Sequence, residues 1–321
     1  MSSHRSDLSR IALAGVLWGT TGIAVALLRD LTALTPTAIG FYRLAIAGAV
    51  LLGLAAVVRR VSPLIRVFRE SPGRVLLTGV ALGAYQALYF IAVANVGVSV
   101  ATVVSLGLAP VVTSVWEAVR SGRRPSAGTV ATIAAALIGL ILITAAATEP
   151  THGAPRPMLG LLAAIASGLG YGCSALLSRD LSQRADATTL TTATALVGAL
   201  ALLPLTVAGG LAFPVRADTV GLLAYLGVVT TAIAYALFYG GLQTVPGSVA
   251  AVVTLLEPLT AALLAVLILG EPLAGASIAG GVLLLGAVAV LYLRPAGGTP
   301  VRAGTPAPPA PPAAPRPGRA G

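Results

Sequence analysis

The sequence predicts an all-α integral membrane protein, with ten transmembrane helices arranged as two inverted five-helix repeats. Three observations carry that expectation. First, 9% of the residues are charged, 57% are hydrophobic, and mean hydropathy is +0.94. Soluble domains average about 25% charged residues, and 321 residues cannot enclose so much apolar surface, so the bulk faces lipid. Second, ten apolar segments approach the ~20 residues that a helix needs to cross a ~30 Å hydrocarbon core. Third, the stretch from Ala87 to Leu106 returns 149 positions later as Ala236 to Leu255, with nine of twenty positions identical.

The segments run, in order, over 10–28, 37–57, 75–94, 98–119, 127–147, 158–177, 187–207, 219–241, 247–268 and 273–293. The first is long enough to remain as a spanning helix rather than a cleaved signal. Barrel strands alternate apolar and polar residues over about ten positions, and these runs do not. Very short connections at Asn95-Val96-Gly97, Val245-Pro246-Gly247 and Glu271-Pro272 mark tight helical hairpins.

Residues 1–9 form an N-terminal segment, 10–147 the first repeat, 148–157 a connector around Glu149-Pro150-Thr151-His152-Gly153, and 158–293 the second repeat. The remainder, 294–321, contains nine prolines among Ala, Gly and Thr. Such a tail buries too little apolar surface to offset its ordering entropy, so disorder is expected there.

Arginine placement sets the orientation. Cytoplasmic loops carry the excess of basic residues. With the N-terminus inside, sixteen of the twenty arginines fall on that side, three fall outside (Arg29, Arg156, Arg216), and Arg43 lies within a span. Both termini are therefore expected to be cytoplasmic, in a plasma or inner membrane. The net charge of +10 is explained by these loops, and no nucleic-acid partner is expected.

Beyond Leu106 the repeat continues after a one-residue slip, with Pro110 opposite Pro258 and Gly122 opposite Gly270. Charge then reverses. Arg120, Arg123 and Arg124 close the first copy, while Glu271 closes the second, as expected if the copies sit upside down relative to each other. Inverted repeats place a substrate site near the midplane between them.

Trp18-Gly19 in the first helix, Phe41-Tyr42-Arg43-Leu44 in the second, the Pro110 to Gly122 stretch, Glu257-Pro258 and Gly270-Glu271-Pro272 together resemble the EamA family of the drug/metabolite transporter superfamily. The resemblance spans about residues 10 to 293 and implies export or import of a small metabolite or drug. The halves depart from symmetry: Arg123 stands where the second has Glu271, and Ala109 where it has Glu257. Any role built on the acid is confined to one half.

Glu257 is the foremost candidate for substrate or proton binding. It lies ten residues into the ninth segment, which at 1.5 Å per residue puts it ~15 Å deep. A carboxylate there costs at least a few kcal/mol unless it faces a cavity or finds a partner. Pro258 removes a backbone donor and can free a carbonyl one turn earlier. Arg43, about 10 Å from the outer edge by the same rise, either snorkels outward or serves structure or an anionic substrate group. Glu117 precedes Arg120 by three residues, a common ion-pair spacing.

Trp18, Tyr85, Gln86, Tyr89, Tyr171 and Tyr235 are cavity-lining candidates, their rings offering an apolar, cation-tolerant wall. Tyr225, Tyr239 and Tyr292 fit an interfacial belt better. Ser105 and Thr254 align in the repeat, one turn before each helix proline. Thr20, Thr21 and Ser174 are expected to bond the preceding turn or a neighbouring helix. Gly168, Gly170 and Gly172 fit close helix packing rather than a dinucleotide loop. No cofactor, metal site or internal disulfide is expected, since Cys173 is alone and His4 and His152 lack a second ligand at metal spacing.

These features point to a secondary carrier rather than an enzyme. A lipid-modifying enzyme calls for paired acids, a metal cluster or an activated nucleophile, and only one midplane carboxylate is found. A scaffold or sensor role has only the tail to suggest it. The expected partners are the bilayer, a small amphipathic substrate such as an amino acid or aromatic drug, and a proton as candidate coupling ion. Assembly of several copies is compatible with the sequence.

Overall fold

Each segment is apolar around its whole circumference, so in lipid its backbone groups must pair internally, and helix is the form that achieves this within one segment. The computed structural model describes residues 2–146, 156–269 and 275–293. Among them, ten helices are long and apolar enough to cross a membrane. These are His4–Leu31, Pro36–Val57, Pro72–Gly97, Val100–Ser121, Ala127–Ala145, Pro157–Ser182, Ala187–Gly209, Ala217–Gly241, Gly247–Ile268 and Gly275–Leu293, referred to as the first to tenth spans. The connector loop from Glu149 to Gly153, the Gly270-Glu271-Pro272 turn and the proline-rich tail lie outside the described residues.

Helix already begins at Ser2, well before the expected start at residue 10. Arg5, Asp7 and Arg10 are carried on the same helix, with Asp7 and Arg10 paired at 2.9 Å. Between the third and fourth spans the turn is tighter than a loop. Gly97 alone adopts a non-helical conformation, φ 80° and ψ 164°, which glycine reaches without a Cβ penalty. A nine-residue helix, Ser62–Glu70, joins the second span to the third and was not anticipated; at that length it cannot span.

The sixth span seats in the groove between the third and fourth: a Cβ on Gly168 would lie 2.7 Å from the Ser105 carbonyl, and one on Gly170 would lie 3.2 Å from Tyr85 Cβ. The first span seats likewise between the eighth and ninth, with Gly241 against Ile11 and Gly15 against Thr254. The second span packs on the seventh and the fifth on the tenth. In the last pair Gly139 and Gly280 meet backbone to backbone, which only small residues permit. Each half thus lends its first helix to the other half's third and fourth.

Two spans are broken near their middles. The first is interrupted at Thr20, between Ser2–Gly19 and Thr21–Leu31. The ninth is interrupted at Thr254-Leu255, between Gly247–Val253 and Leu256–Leu269. Pro258 accounts for the second break, because it cannot donate to the Thr254 carbonyl one turn earlier. That carbonyl is not left over, as the sequence had suggested. Instead the Glu257 N–H takes it at 3.0 Å, a tightened turn that points the acid away from the regular ladder. In the eighth span, Val228–Ile233 forms a π-helical turn, where the hydroxyls of Thr230 and Thr231 both donate to the Leu226 carbonyl, at 2.8 and 2.7 Å.

Candidate functional site

The two broken spans cross. A Cβ on Gly19 would sit 2.6 Å from the Glu257 carbonyl oxygen and 2.5 Å from Thr260 Cβ, so only glycine lets the first span approach the ninth this closely. Beside that crossing lies a cavity of about 430 Å³, within the range of roughly 300–1,000 Å³ for small-molecule pockets.

Nine of the ten sequence candidates lie on its wall: Trp18, Arg43, Tyr85, Gln86, Tyr89, Ser105, Tyr171, Tyr235 and Glu257. Thr254 stands behind the wall, where its hydroxyl accepts from Tyr171 at 3.2 Å and donates to the Ala251 carbonyl. Its backbone lies against Gly15 of the first span, and its side chain is taken up by the sixth span's Tyr171 and its own helix rather than by the void.

Rings form a continuous train around the deep end of the cavity. Tyr171 packs on Tyr85 at 5.2 Å, and the Tyr85 and Tyr235 hydroxyls are 2.7 Å apart. Tyr235 in turn packs on Trp18 at 4.9 Å. These four residues come from the sixth, third, eighth and first spans, so both halves build the wall. Tyr89 is held by Thr102 at 2.8 Å, and the Ser167 hydroxyl donates to the Tyr85 carbonyl. Both holding residues also line the cavity and were missed, because serines and threonines within a span usually bond their own helix.

Among the described residues, Glu257 is the sole acid on this wall and Arg43 the sole base. Neither enters an ion pair among the described residues. Arg43 does not snorkel: it faces the void and its Nε donates to Thr231 Oγ1 at 3.3 Å. The π-helical turn positions that threonine, and no sequence signal for the turn had been read. Three further groups, Trp18 Nε1, Thr21 Oγ1 and Gln86 Oε1, are buried without a hydrogen-bond partner among the described residues. All three residues line the cavity. A buried polar atom left unpaired costs about 1–3 kcal/mol, so the site holds donors and an acceptor that a ligand could satisfy.

The wall reaches from the middle of the spans toward one end only, through Val25, Phe90, Thr102 and Ile143. That end carries few arginines. At the opposite, arginine-rich end the spans are tied by polar contacts. The Glu117 carboxylate accepts from Ser248 N at 3.2 Å and Ser248 Oγ at 2.5 Å. Arg120 meets Asp180 at 3.6 Å, and Arg179 donates to the Val245 carbonyl. The expected Glu117–Arg120 pair is thus replaced, because the free N–H groups where the ninth span begins offer the carboxylate better partners.

Tyr239 corrects another expectation. It is 1% exposed, packed on Tyr235 and Phe238 and hydrogen-bonded to Thr194, not part of an interfacial belt. Tyr225 bonds Thr20 at 2.7 Å, and Tyr292 bonds Ser9 and the Arg5 carbonyl. Ser105 donates to the Ala164 carbonyl at 3.1 Å, joining the fourth span to the sixth.

Comparison with known proteins agrees with this architecture. The sequence pattern of the EamA-like transporter family matches residues 8–145 and again residues 158–293. An uncharacterized transporter, YwfM, of Bacillus subtilis (strain 168) is 31% identical over 252 residues, covering 78% of this chain and 81% of that one. An uncharacterized inner membrane transporter, YicL, of Salmonella typhimurium (strain LT2) is 24% identical over 268 residues, covering 82% and 87%. A solved crystal structure superimposes with a TM-score of 0.75 over 89% of this chain and 96% of its own, at 24% identity, which speaks to the fold alone. With ten apolar spans and a family pattern matched in both halves, this chain is a multi-pass membrane transporter and belongs to the EamA-like transporter family.

Proposed function

We propose that the protein is a secondary carrier that exports a small amphipathic metabolite, an amino acid or related compound, or a drug, by alternating access. The observation that carries this reading is the cavity at the crossing of two broken spans. It has one acid, one base and three unpartnered polar groups set in an aromatic wall. Broken helices at a repeat interface are a recurrent way to expose polar groups in lipid without exposing backbone. A zwitterion or a cation with an aromatic body complements such a wall, with Glu257 for the cationic group and Arg43 for an anionic one.

Five spans per half is an odd number. If every span crosses, the sixth enters from the side opposite to the first, so the halves are inverted. The exchange of first helices between halves supports the same relation, since swapping the halves returns the same contacts. With the arginine-rich end inside, the described conformation faces outward, and contacts such as Glu117–Ser248 close the cytoplasmic side of an inner or plasma membrane. Transport then requires those contacts to break while the open end, lined by Val25, Phe90, Thr102 and Ile143, closes. Glu257, which has no ion-pair partner among the described residues, is the group that can trade a proton for the substrate's cation.

Counterflow of labelled amino acids and aromatic drugs in proteoliposomes tests the carrier, and a panel without any counterflow contradicts it. Glu257→Gln is expected to fold normally and lose pH-dependent flux. Unchanged pH dependence removes Glu257 from the coupling step.

A further inference from the structure

The helix Ser62–Glu70 lies at the arginine-rich end, outside the transport cavity. Leu64 and Val67 are buried, and the helix packs on the third and seventh spans. Arg66 and Arg69 point away from that buried side, and Arg59, Arg60 and Arg74 flank the helix in sequence. Exposed apolar residues neighbour them in sequence: Val57 is 81% exposed, Val58 52% and Ile65 54%. None of these five arginines enters an ion pair among the described residues. Between the helix and the turn joining the sixth and seventh spans is a cleft of about 220 Å³, lined by Arg66, Glu70, Ser71, Arg184 and Asp186. Its two arginines are likewise without ion-pair partners. Asp186 already accepts hydrogen bonds from Thr188 and from the side chain and backbone of Thr189, so of the cleft's two acids Glu70 is the one without a hydrogen-bond partner among the described residues.

We infer that this cleft binds the phosphodiester headgroup of an anionic phospholipid from the adjacent leaflet, Arg66 and Arg184 taking the phosphate and the exposed apolar side chains meeting the acyl chains. Guanidinium forks match phosphate oxygens in pairs, and a basic interfacial helix with an apolar flank partitions to anionic membrane surfaces. The bilayer supplies the occupant at this depth, because the ends of the second and third spans fix the helix at the membrane boundary. The bound headgroup bridges the halves, since Arg66 belongs to the first and Arg184 to the second.

The test uses full-length protein, purified and delipidated in neutral detergent, with thermal unfolding followed as lipid is added back. Phosphatidylglycerol is expected to raise Tm by several degrees and phosphatidylcholine is not. In Arg66→Gln/Arg184→Gln, each referred to its own lipid-free Tm, the phosphatidylglycerol concentration needed for half the shift rises roughly 30-fold. Arg216→Gln, at the opposite end and paired with Asp218, leaves it unchanged. Equal shifts with both lipids, an unaltered response in the double variant, or the same shift with inorganic phosphate alone would each overturn the inference. Should the double variant fail to fold, the single variants carry the test, each expected to need about fivefold more lipid, and no change in either overturns it. Transport is not read in this experiment, so its outcome is independent of the carrier proposal.

Discussion

The hydroxyls of Tyr85 and Tyr235 lie 2.7 Å apart and join the third span to the eighth at the deep end of the cavity. Both rings are otherwise held by packing, Tyr85 on Tyr171 and Tyr235 on Trp18 and Tyr239. Tyr85→Phe and Tyr235→Phe are each expected to cost about 0.5–1.5 kcal/mol. The double variant costs less than their sum, because the second substitution removes a group already left unpaired. Thermal unfolding of the four proteins in detergent measures this. Strict additivity means the two hydroxyls do not interact.

Gly19→Ala brings a methyl group to within 2.5 Å of Thr260 Cβ and 2.6 Å of the Glu257 carbonyl, where the first span must move off the ninth. A loss of about 1–3 kcal/mol is expected, as for overpacked cores. Gly22→Ala, one turn away, meets nothing within 4 Å and leaves Tm unchanged or slightly higher. Equal effects at the two positions contradict the close crossing.

Trp18→Phe keeps a ring against Tyr235 and Phe238 and removes the unpartnered indole N–H. No hydrogen bond among the described residues is lost. If the N–H contacts substrate, KM rises about 2- to 10-fold, the equivalent of ~0.5–1.5 kcal/mol, with Tm little changed. An unaltered concentration dependence of uptake assigns Trp18 to the wall alone.

Asp186, just outside the seventh span, caps that helix through the Thr189 N–H at 2.9 Å. Burial pushes its pKa up, but hydrogen bonds from Thr188 and Thr189 outweigh burial and leave it below the usual value of 3.8. A carboxylate held low in the fold stabilises above its unfolded pKa, and that contribution is lost as pH falls through the folded value. Asp186→Ala is expected to cost about 0.5–2 kcal/mol at neutral pH and progressively less as acid protonates the wild-type group. Denaturation curves of both proteins from neutral to acid pH check this, and a constant difference contradicts it.

The ten spans were legible because hydropathy is a local property and each segment must satisfy its own backbone. Depth along a helix was legible for the same reason, and residues such as Trp18 and Tyr171 could be put at cavity level from the rise per residue. Tertiary partners were not. The Glu117 carboxylate bonds Ser248, 131 positions away, and no local spacing announces that. For Arg43, snorkelling and a structural or anion-binding role stood equally open, because the π-helical turn that presents Thr231 has no pattern distinct from ordinary helix. Tyr239 was misplaced because its belt position depended on depth alone, while packing between Tyr235, Phe238 and Thr194 decides its burial.

The central claim, two halves threaded oppositely around one cavity, is tested most directly by side-specific cysteine labelling. Exposed Cys173 is first replaced by Ser, and Arg60→Cys and Val215→Cys then report the second-to-third and seventh-to-eighth connections, both exposed in the fold. A membrane-impermeant maleimide added to intact cells is predicted to label Val215→Cys and spare Arg60→Cys until the membrane is opened. Labelling of both positions from the same side contradicts the inversion.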